Sequence, residues 1–199
     1  MRLILRTVVL WVSQSTTTGK KEEENFMDRH GAVTFKGNPL TLVGKALTVG
    51  NSAPDFDLVA YESSGMQHIR KTDLAGKPAL ISVVPSLDTP VCQIQTKKFN
   101  ERVASMGDRI RSITVSLDLP FAMNRFCGAE KIETMRVGSD YMDRKFGRDW
   151  GLLIDELKIL ARAVYVLDSK GTILYEQVVT EVAHEPDYDA ALSALEAAT

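Results

Sequence analysis

Only two of the 199 residues are cysteines, Cys92 and Cys127, and only three are histidines, His30, His68 and His184. So small a supply excludes a disulfide-stapled scaffold, which needs several pairs to replace a missing core. No CxxC, HExxH or Cys/His pair at ligand spacing occurs, so no metal site is expected. Neither a GxGxxG turn nor a GxxxxGK[ST] loop is present, and no cofactor is expected. An excess of either charge is also missing: 24 Lys+Arg against 26 Asp+Glu leave a formal net charge of -2. That balance gives no electrostatic ground for nucleic acid or an anionic membrane surface as partner. No apolar run reaches the roughly 20 residues of a membrane span, and no internal repeat is visible. Two cysteines in a chain of this size suit a reducing, cytoplasmic setting, where a disulfide is more often transient and catalytic than structural.

The remaining composition, 44% hydrophobic and 25% charged, is that of an ordinary globular protein with one α/β core. The first residues stand apart. Leu3–Val12 is apolar but broken by Arg6, and Ser13–Asn25 is polar, with the Lys20–Glu24 charge cluster inside it. Residues 1–26 are expected to be a disordered extension, an upstream mis-assigned start, with a weak export signal as the rival reading. The folded domain is expected to span 27–199.

Ala32–Phe35 and Leu40–Val43, joined by Lys36-Gly37-Asn38-Pro39, predict an N-terminal β-hairpin. Phe56, Leu58 and Ala60 alternate as a strand, and Ile69–Leu74 reads as a short strand and a helical turn. Ala79–Val84 is a buried strand, and Ile110–Leu117 a second. Pro120–Cys127 is a short helix closed by Gly128. Thr134–Val137 reads as a strand, and Tyr141–Phe146 as a helix ending at Gly147. Ala163–Leu167 and Thr172–Val179 form a hairpin, and Asp189–Ala198 a closing helix. The sum is a mixed sheet flanked by helices, with a parallel β-α-β unit at its centre: a thioredoxin-like outline.

The stretch Val83–Phe99 holds the chemistry. Pro85 breaks the buried strand, and Pro90 suits a first helical turn, with Asp88 and Thr89 as cap candidates. Cys92, Thr96, Phe99, Val103 and Met106 then fall on one helical stripe. Cys92 therefore sits in the first turn of a helix after a strand, where free backbone N–H groups and the dipole favour a thiolate. A cysteine hydrolase would want a histidine near it, and a dithiol exchanger a second cysteine close by; the sequence shows neither locally. A peroxidase needs less: Thr89 can bring a hydroxyl to the sulfur, Arg162 a charge, and Cys127 a thiol to condense with a sulfenic acid. Taken singly, each residue also has a plain structural reading: core cysteine, cap, strand terminator, solvated arginine, helix-end packing. The spacing Pro-x-x-x-Thr-x-x-Cys at a strand–helix junction is harder to explain by packing alone.

Those residues resemble the signature of the peroxiredoxins, and more narrowly of the bacterial thiol peroxidases, the atypical two-cysteine branch. The likeness runs from about Val33 to the C-terminus. It is carried by Phe35–Pro39, Pro85–Cys92, Asp118–Ala122, Arg125-Phe126-Cys127-Gly128-Ala129-Glu130, Ala161–Val164 and Glu185–Tyr188. The resemblance implies a peroxidatic Cys92 and a resolving Cys127 that form a disulfide within one chain. It implies Thr89 as hydroxyl partner, Arg162 as fixed positive charge and Pro85 as pocket shield. It also implies hydroperoxide substrates, thioredoxin as reductant and a homodimer. A thioredoxin-fold redox sensor using the same disulfide as a switch is the alternative.

Overall fold

The computed structural model describes residues 28–199, so the expectation for residues 1–26 lies outside the described part. In chain order the strands are β1 (Arg29–Phe35), β2 (Asn38–Val43), β3 (Asp57–Glu62), β4 (Gly65–Arg70), β5 (Ala79–Val83) and β6 (Arg111–Ser116), then β7 (Arg136–Ser139), β8 (Leu153–Ile154), β9 (Ala163–Leu167) and β10 (Ile173–Val178). The helices are α1 (Pro90–Val103), α2 (Pro120–Glu130), α3 (Lys145–Asp149) and α4 (Tyr188–Ala197). Short 3-10 segments cover Lys71–Leu74 and Ala104–Arg109.

Seven strands form the main sheet in the order β10-β9-β5-β6-β7-β3-β4. β5 runs parallel to β6, from Ala79 opposite Arg111 to Val83 opposite Val115, and antiparallel to β9. Every residue of β5 and β9 is buried. Their side chains divide between two cores by strand alternation. Leu80, Val164 and Val166 pack with Phe99 and Val103 of α1 and Leu192 and Leu195 of α4. Ile81, Val83, Tyr165 and Leu167 pack with Phe146 and Trp150 on the other face. A strand covered on both faces has no polar side, which is why Ala79–Val84 reads as one apolar run.

The expected hairpin is β1–β2. Lys36 and Gly37 at its tip have φ of 51° and 78°, the positive values that a tight two-residue hairpin turn requires. The Gly37 N–H, with those of Lys36 and Ala183 and the Thr34 hydroxyl, holds the Glu181 carboxyl down at about 2 and ties the hairpin to the chain after β10.

The structure departs from the sequence reading at several places. β8 was not anticipated: it pairs Leu153 and Ile154 with Val43 and Leu42, making the hairpin a three-stranded sheet. The helix expected over Tyr141–Phe146 begins later, as α3. The Asp140 carboxylate accepts the N–H groups of Phe146 at 3.0 Å and Gly147 at 2.8 Å, and so fixes the helix start there. Gly147 is inside that helix rather than its stop; a Cβ on it would lie 2.6 Å from Leu160 Cδ2, so its role is close approach. The strand expected at Thr134–Val137 is displaced toward the C-terminus, as β7, because the ladder with β6 runs from Arg136 to Ser139. β3 is also not a simple alternating strand: Val59 is buried beside Leu58 and Ala60, since α2 packs over the second face.

Candidate active site

Where β5 ends, Val84 N–H still reaches the Val115 carbonyl at 3.0 Å, and the next residue, buried Pro85, has no N–H to continue the ladder. The chain turns through Ser86–Thr89 and enters α1 with Pro90 in its first position. Thr89 occupies the cap position, but its hydroxyl does not cap. It donates to the Ser86 carbonyl at 3.1 Å. The first helical N–H to find a carbonyl is that of Gln93, on Thr89 at 3.0 Å. The N–H groups of Val91 and Cys92 are thus free at the positive end of the helix, beside the sulfur.

Cys92 is fully buried, with Val84, Leu87 and Met123 around it. Arg162, just before β9, is buried too, at 2% exposure, and its guanidinium fans out over three partners. Nη2 meets Cys92 Sγ at 3.4 Å, Nη1 donates to Gln95 Oε1 at 2.6 Å, and Nε donates to the Val182 carbonyl at 3.0 Å. Gln95 in turn donates from Nε2 to Ser82 Oγ at 2.8 Å. A buried guanidinium whose hydrogen-bond partners are neutral acceptors is costly unless an anion lies near it. The sheet brings Cys92 and Arg162 together: β5 delivers the cysteine and antiparallel β9 begins beside the end of β5, with Val83 opposite Ala163.

Gln95 escaped the sequence reading, although a signal existed. It lies one turn beyond Cys92, and a glutamine on a buried stripe needs a buried polar partner. The Glu185–Tyr188 block supports the same region from outside. Glu185 is held below the usual carboxylate range by hydrogen bonds from Lys98 and Tyr188, with Arg162 adding its charge. Pro186 is buried, Asp187 caps α4 through the Ala190 N–H, and Tyr188 packs edge-on to Phe99 at 5.0 Å.

Cys127 sits in the last turns of α2, half-buried, and both cysteines are free thiols. Burial pushes its thiol up to about 11. It packs with the Phe99–Val103 core, not with the residues around Cys92; Phe126 touches both groups. Beyond it, Lys131 ends the helix in the left-handed region (φ 55°, ψ 46°), a position with mild strain for a residue other than glycine. Between the Ser86–Asp88 turn and α2 lies a cleft of about 450 Å³, with Leu87, Met123 and Phe126 on its apolar side. Phe121 is outside it, 59% exposed and against Tyr61 at 4.9 Å. Among the described residues no cluster of three or more His, Cys, Asp or Glu is placed to hold a metal ion.

A thioredoxin-like sheet with a buried cysteine–arginine pair at a helix N-terminus defines a redoxin-type thiol site. The Redoxin family model matches residues 48–192. A thiol peroxidase of Streptococcus sanguinis is 48% identical over 164 residues, 81% of this chain and 97% of that relative. One of Bacillus subtilis is 43% identical over 165 residues, 83% of this chain and 96% of its own length. The crystal structure of a peroxiredoxin-like protein from Aquifex aeolicus has a TM-score of 0.77 at 40% identity, covering 85% of this chain and 98% of that one. A thiol peroxidase structure from Chromobacterium violaceum shares the fold, with a TM-score of 0.72 at 19% identity over 83% of this chain and 95% of its own. The chain belongs to the Redoxin family, in the thiol peroxidase branch of the peroxiredoxins.

Proposed function

We propose that this thiol peroxidase reduces hydrogen peroxide and alkyl hydroperoxides through Cys92 and is recycled by thioredoxin through a Cys92–Cys127 disulfide. The observation that carries the reading is Arg162 Nη2 at 3.4 Å from the buried Cys92 Sγ, at a helix start whose first N–H groups are free. The Cys92 thiolate attacks the terminal peroxide oxygen in line. Arg162 and the first-turn N–H groups stabilise the charge on the departing oxygen, which leaves as water or alcohol. Thr89 already spends its hydroxyl proton on Ser86, so toward the peroxide it acts as acceptor for the O–H. Pro85 keeps water from the sulfur.

Sulfenic acid on Cys92 then condenses with the Cys127 thiol, forming the S–S bond and releasing water. The two residues belong to different packed groups, so the first turn of α1 and the end of α2 open locally before the bond forms. Opening also exposes the Cys127 thiol and removes the burial that keeps it protonated. Thioredoxin reduces the bond by exchange. Leu87, Met123 and Phe126 beside the site favour an alkyl group on the substrate. Exposed Leu119 and Phe121 at the start of α2, at 55% and 59%, give apolar surface for a homodimer contact. A cytoplasmic setting belongs to the same proposal and rests on the two-cysteine composition; separately, no described helix is long and apolar enough to cross a membrane.

The test is coupled turnover: reduced protein, thioredoxin, thioredoxin reductase and cumene hydroperoxide, followed by NADPH oxidation. Sustained consumption that is lost in Cys92→Ser supports the reading. A single stoichiometric burst without turnover means that the disulfide serves as a switch instead.

A further inference from the structure

A second network, which does not touch the sulfur, holds the turn that delivers it. Ser86 is its hub. The Ser86 hydroxyl donates to Asp118 Oδ1 at 2.7 Å and accepts from the Asp88 N–H at 3.2 Å. Its carbonyl accepts both the Thr89 N–H at 3.2 Å and the Thr89 hydroxyl at 3.1 Å. Asp118 Oδ2 accepts from the Leu87 N–H at 2.6 Å and the Ser116 hydroxyl at 2.9 Å. Asp118 is itself fixed: its N–H donates to Ser116 Oγ at 3.1 Å and its carbonyl accepts from the Ser139 hydroxyl at 2.5 Å.

One carboxylate at the carboxyl end of β6 therefore grips two consecutive residues of the Cys92 turn. Two residues further on, Pro120 begins α2, the helix of Cys127. Asp118 thus stands at the junction of the two segments that must rearrange for a disulfide to form. Among the described residues no other charged group anchors the turn: the remaining hydrogen bonds of Ser86–Thr89 are internal to it, apart from the Thr89 carbonyl, which accepts the Gln93 N–H of α1.

We propose that Asp118 is a positioning residue that latches the Ser86–Thr89 turn in its peroxide-reactive shape, and that release of this latch lets Cys92 reach Cys127. The proposal rests on the peroxidase reading above. Its signature is a pair of effects with opposite sign. In the first step a sulfur–oxygen bond forms as the O–O bond breaks; Cys92 is oxidised to sulfenic acid and ROOH is reduced to ROH. The sulfenic acid then has two fates. Condensation with the Cys127 thiol gives the disulfide and water, and needs the turn open. Reaction with a second ROOH gives the sulfinic acid and ROH, and needs the turn folded. An intact latch favours the first step and the second oxidation; a broken one slows both and speeds the disulfide.

The experiment uses the full chain, reduced, as wild type, Asp118→Asn and Ser86→Ala, with Ile154→Val as a destabilised control far from the site. Each is mixed with cumene hydroperoxide at one equivalent and at large excess, quenched by alkylation and read by intact mass. Asp118→Asn should slow the first oxidation about tenfold, the scale of hydrogen bonds to a charged acceptor, and its sulfinic share at excess peroxide should fall severalfold. Ser86→Ala, which removes one of the three bonds to the carboxylate, should shift both readouts the same way by less. Ile154→Val should shift neither. The latch is refuted if both site variants keep the wild-type sulfinic share, or if the control turns the partition as they do. Should Asp118→Asn not fold, Ser86→Ala decides alone. A wild type that consumes no peroxide overturns the peroxidase reading itself, and that outcome is distinct from an unchanged partition.

Discussion

Replacing Gln95 by leucine separates the stability of the buried arginine from its catalytic placement. Gln95 is fully buried and bridges two groups: Oε1 accepts from Arg162 Nη1 at 2.6 Å and Nε2 donates to Ser82 Oγ at 2.8 Å. Leucine fills nearly the same volume, so little cavity is left. What disappears is the acceptor for a buried cationic donor, worth about 1.5–3 kcal/mol, with about 1 kcal/mol more for the Ser82 hydroxyl. Urea unfolding should show a loss of about 2–4 kcal/mol. The guanidinium keeps its bond to the Val182 carbonyl but loses the one that sets its rotation about that anchor. Displacing Nη2 from Sγ by even about 1 Å should cost ten- to a hundredfold in the rate of Cys92 oxidation. Rapid-quench mass spectrometry of reduced protein against a hydroperoxide measures that rate directly. Gln95→Glu, which keeps an acceptor on Arg162, should recover most of it. If Gln95→Leu lost stability yet reacted at the wild-type rate, Val182 alone would be positioning Arg162 and the reasoning would be wrong.

Burial of the Cys127 thiol predicts that its alkylation in the folded chain keeps climbing with pH up to about 11, whereas in denaturant the midpoint returns toward 9.0. The sign for stability follows: the raised folded value favours folding fully below 9.0, and that contribution is lost as pH rises through about 11. Burial likewise pushes the Asp140 carboxyl up to about 6 from 3.8. Its protonated form therefore stabilises the fold below 3.8, by about 3 kcal/mol, and this is lost as pH rises through about 6. Subtracting the Asp140→Asn stability profile from that of the wild type should isolate this slope. Gly147→Ala should lower stability by about 1–3 kcal/mol through overpacking, read as a drop in melting temperature, because its Cβ would lie 2.6 Å from Leu160 Cδ2.

Much of the candidate site is local in sequence, and that part is legible in the residues themselves. Pro85, Thr89 and Cys92 lie within two turns of chain, and the strand–proline–helix pattern sets their geometry. Cys127 and Arg162 were also named, but only the sheet order shows that β9 starts beside the end of β5. Gln95 went unnamed, and Asp118 entered only as the first residue of a matching block with no role, for a common reason. Each acts through a partner distant in sequence, Arg162 and Ser86 respectively, and a lone glutamine or aspartate carries no periodic signal. Fold errors arose where tertiary contacts overrule local pattern: β8 is a two-residue strand defined by its pairing with β2 and by the Leu153–Leu160 bridge. The start of α3 is set by the Asp140 carboxylate, not by the apolar spacing of Tyr141–Phe146. Gly147 looked like a helix stop but is a contact point for Leu160.

In the proposed cycle Cys92 is oxidised first and Cys127 resolves it within the same chain. Intact mass of the reduced protein after one equivalent of hydroperoxide tests this most directly. The expected products are a monomer-mass species lighter by two hydrogens in the wild type, and one heavier by a single oxygen on Cys92 in Cys127→Ser. A wild type that gains oxygen on Cys127, or that links two chains instead of closing on itself, would contradict it.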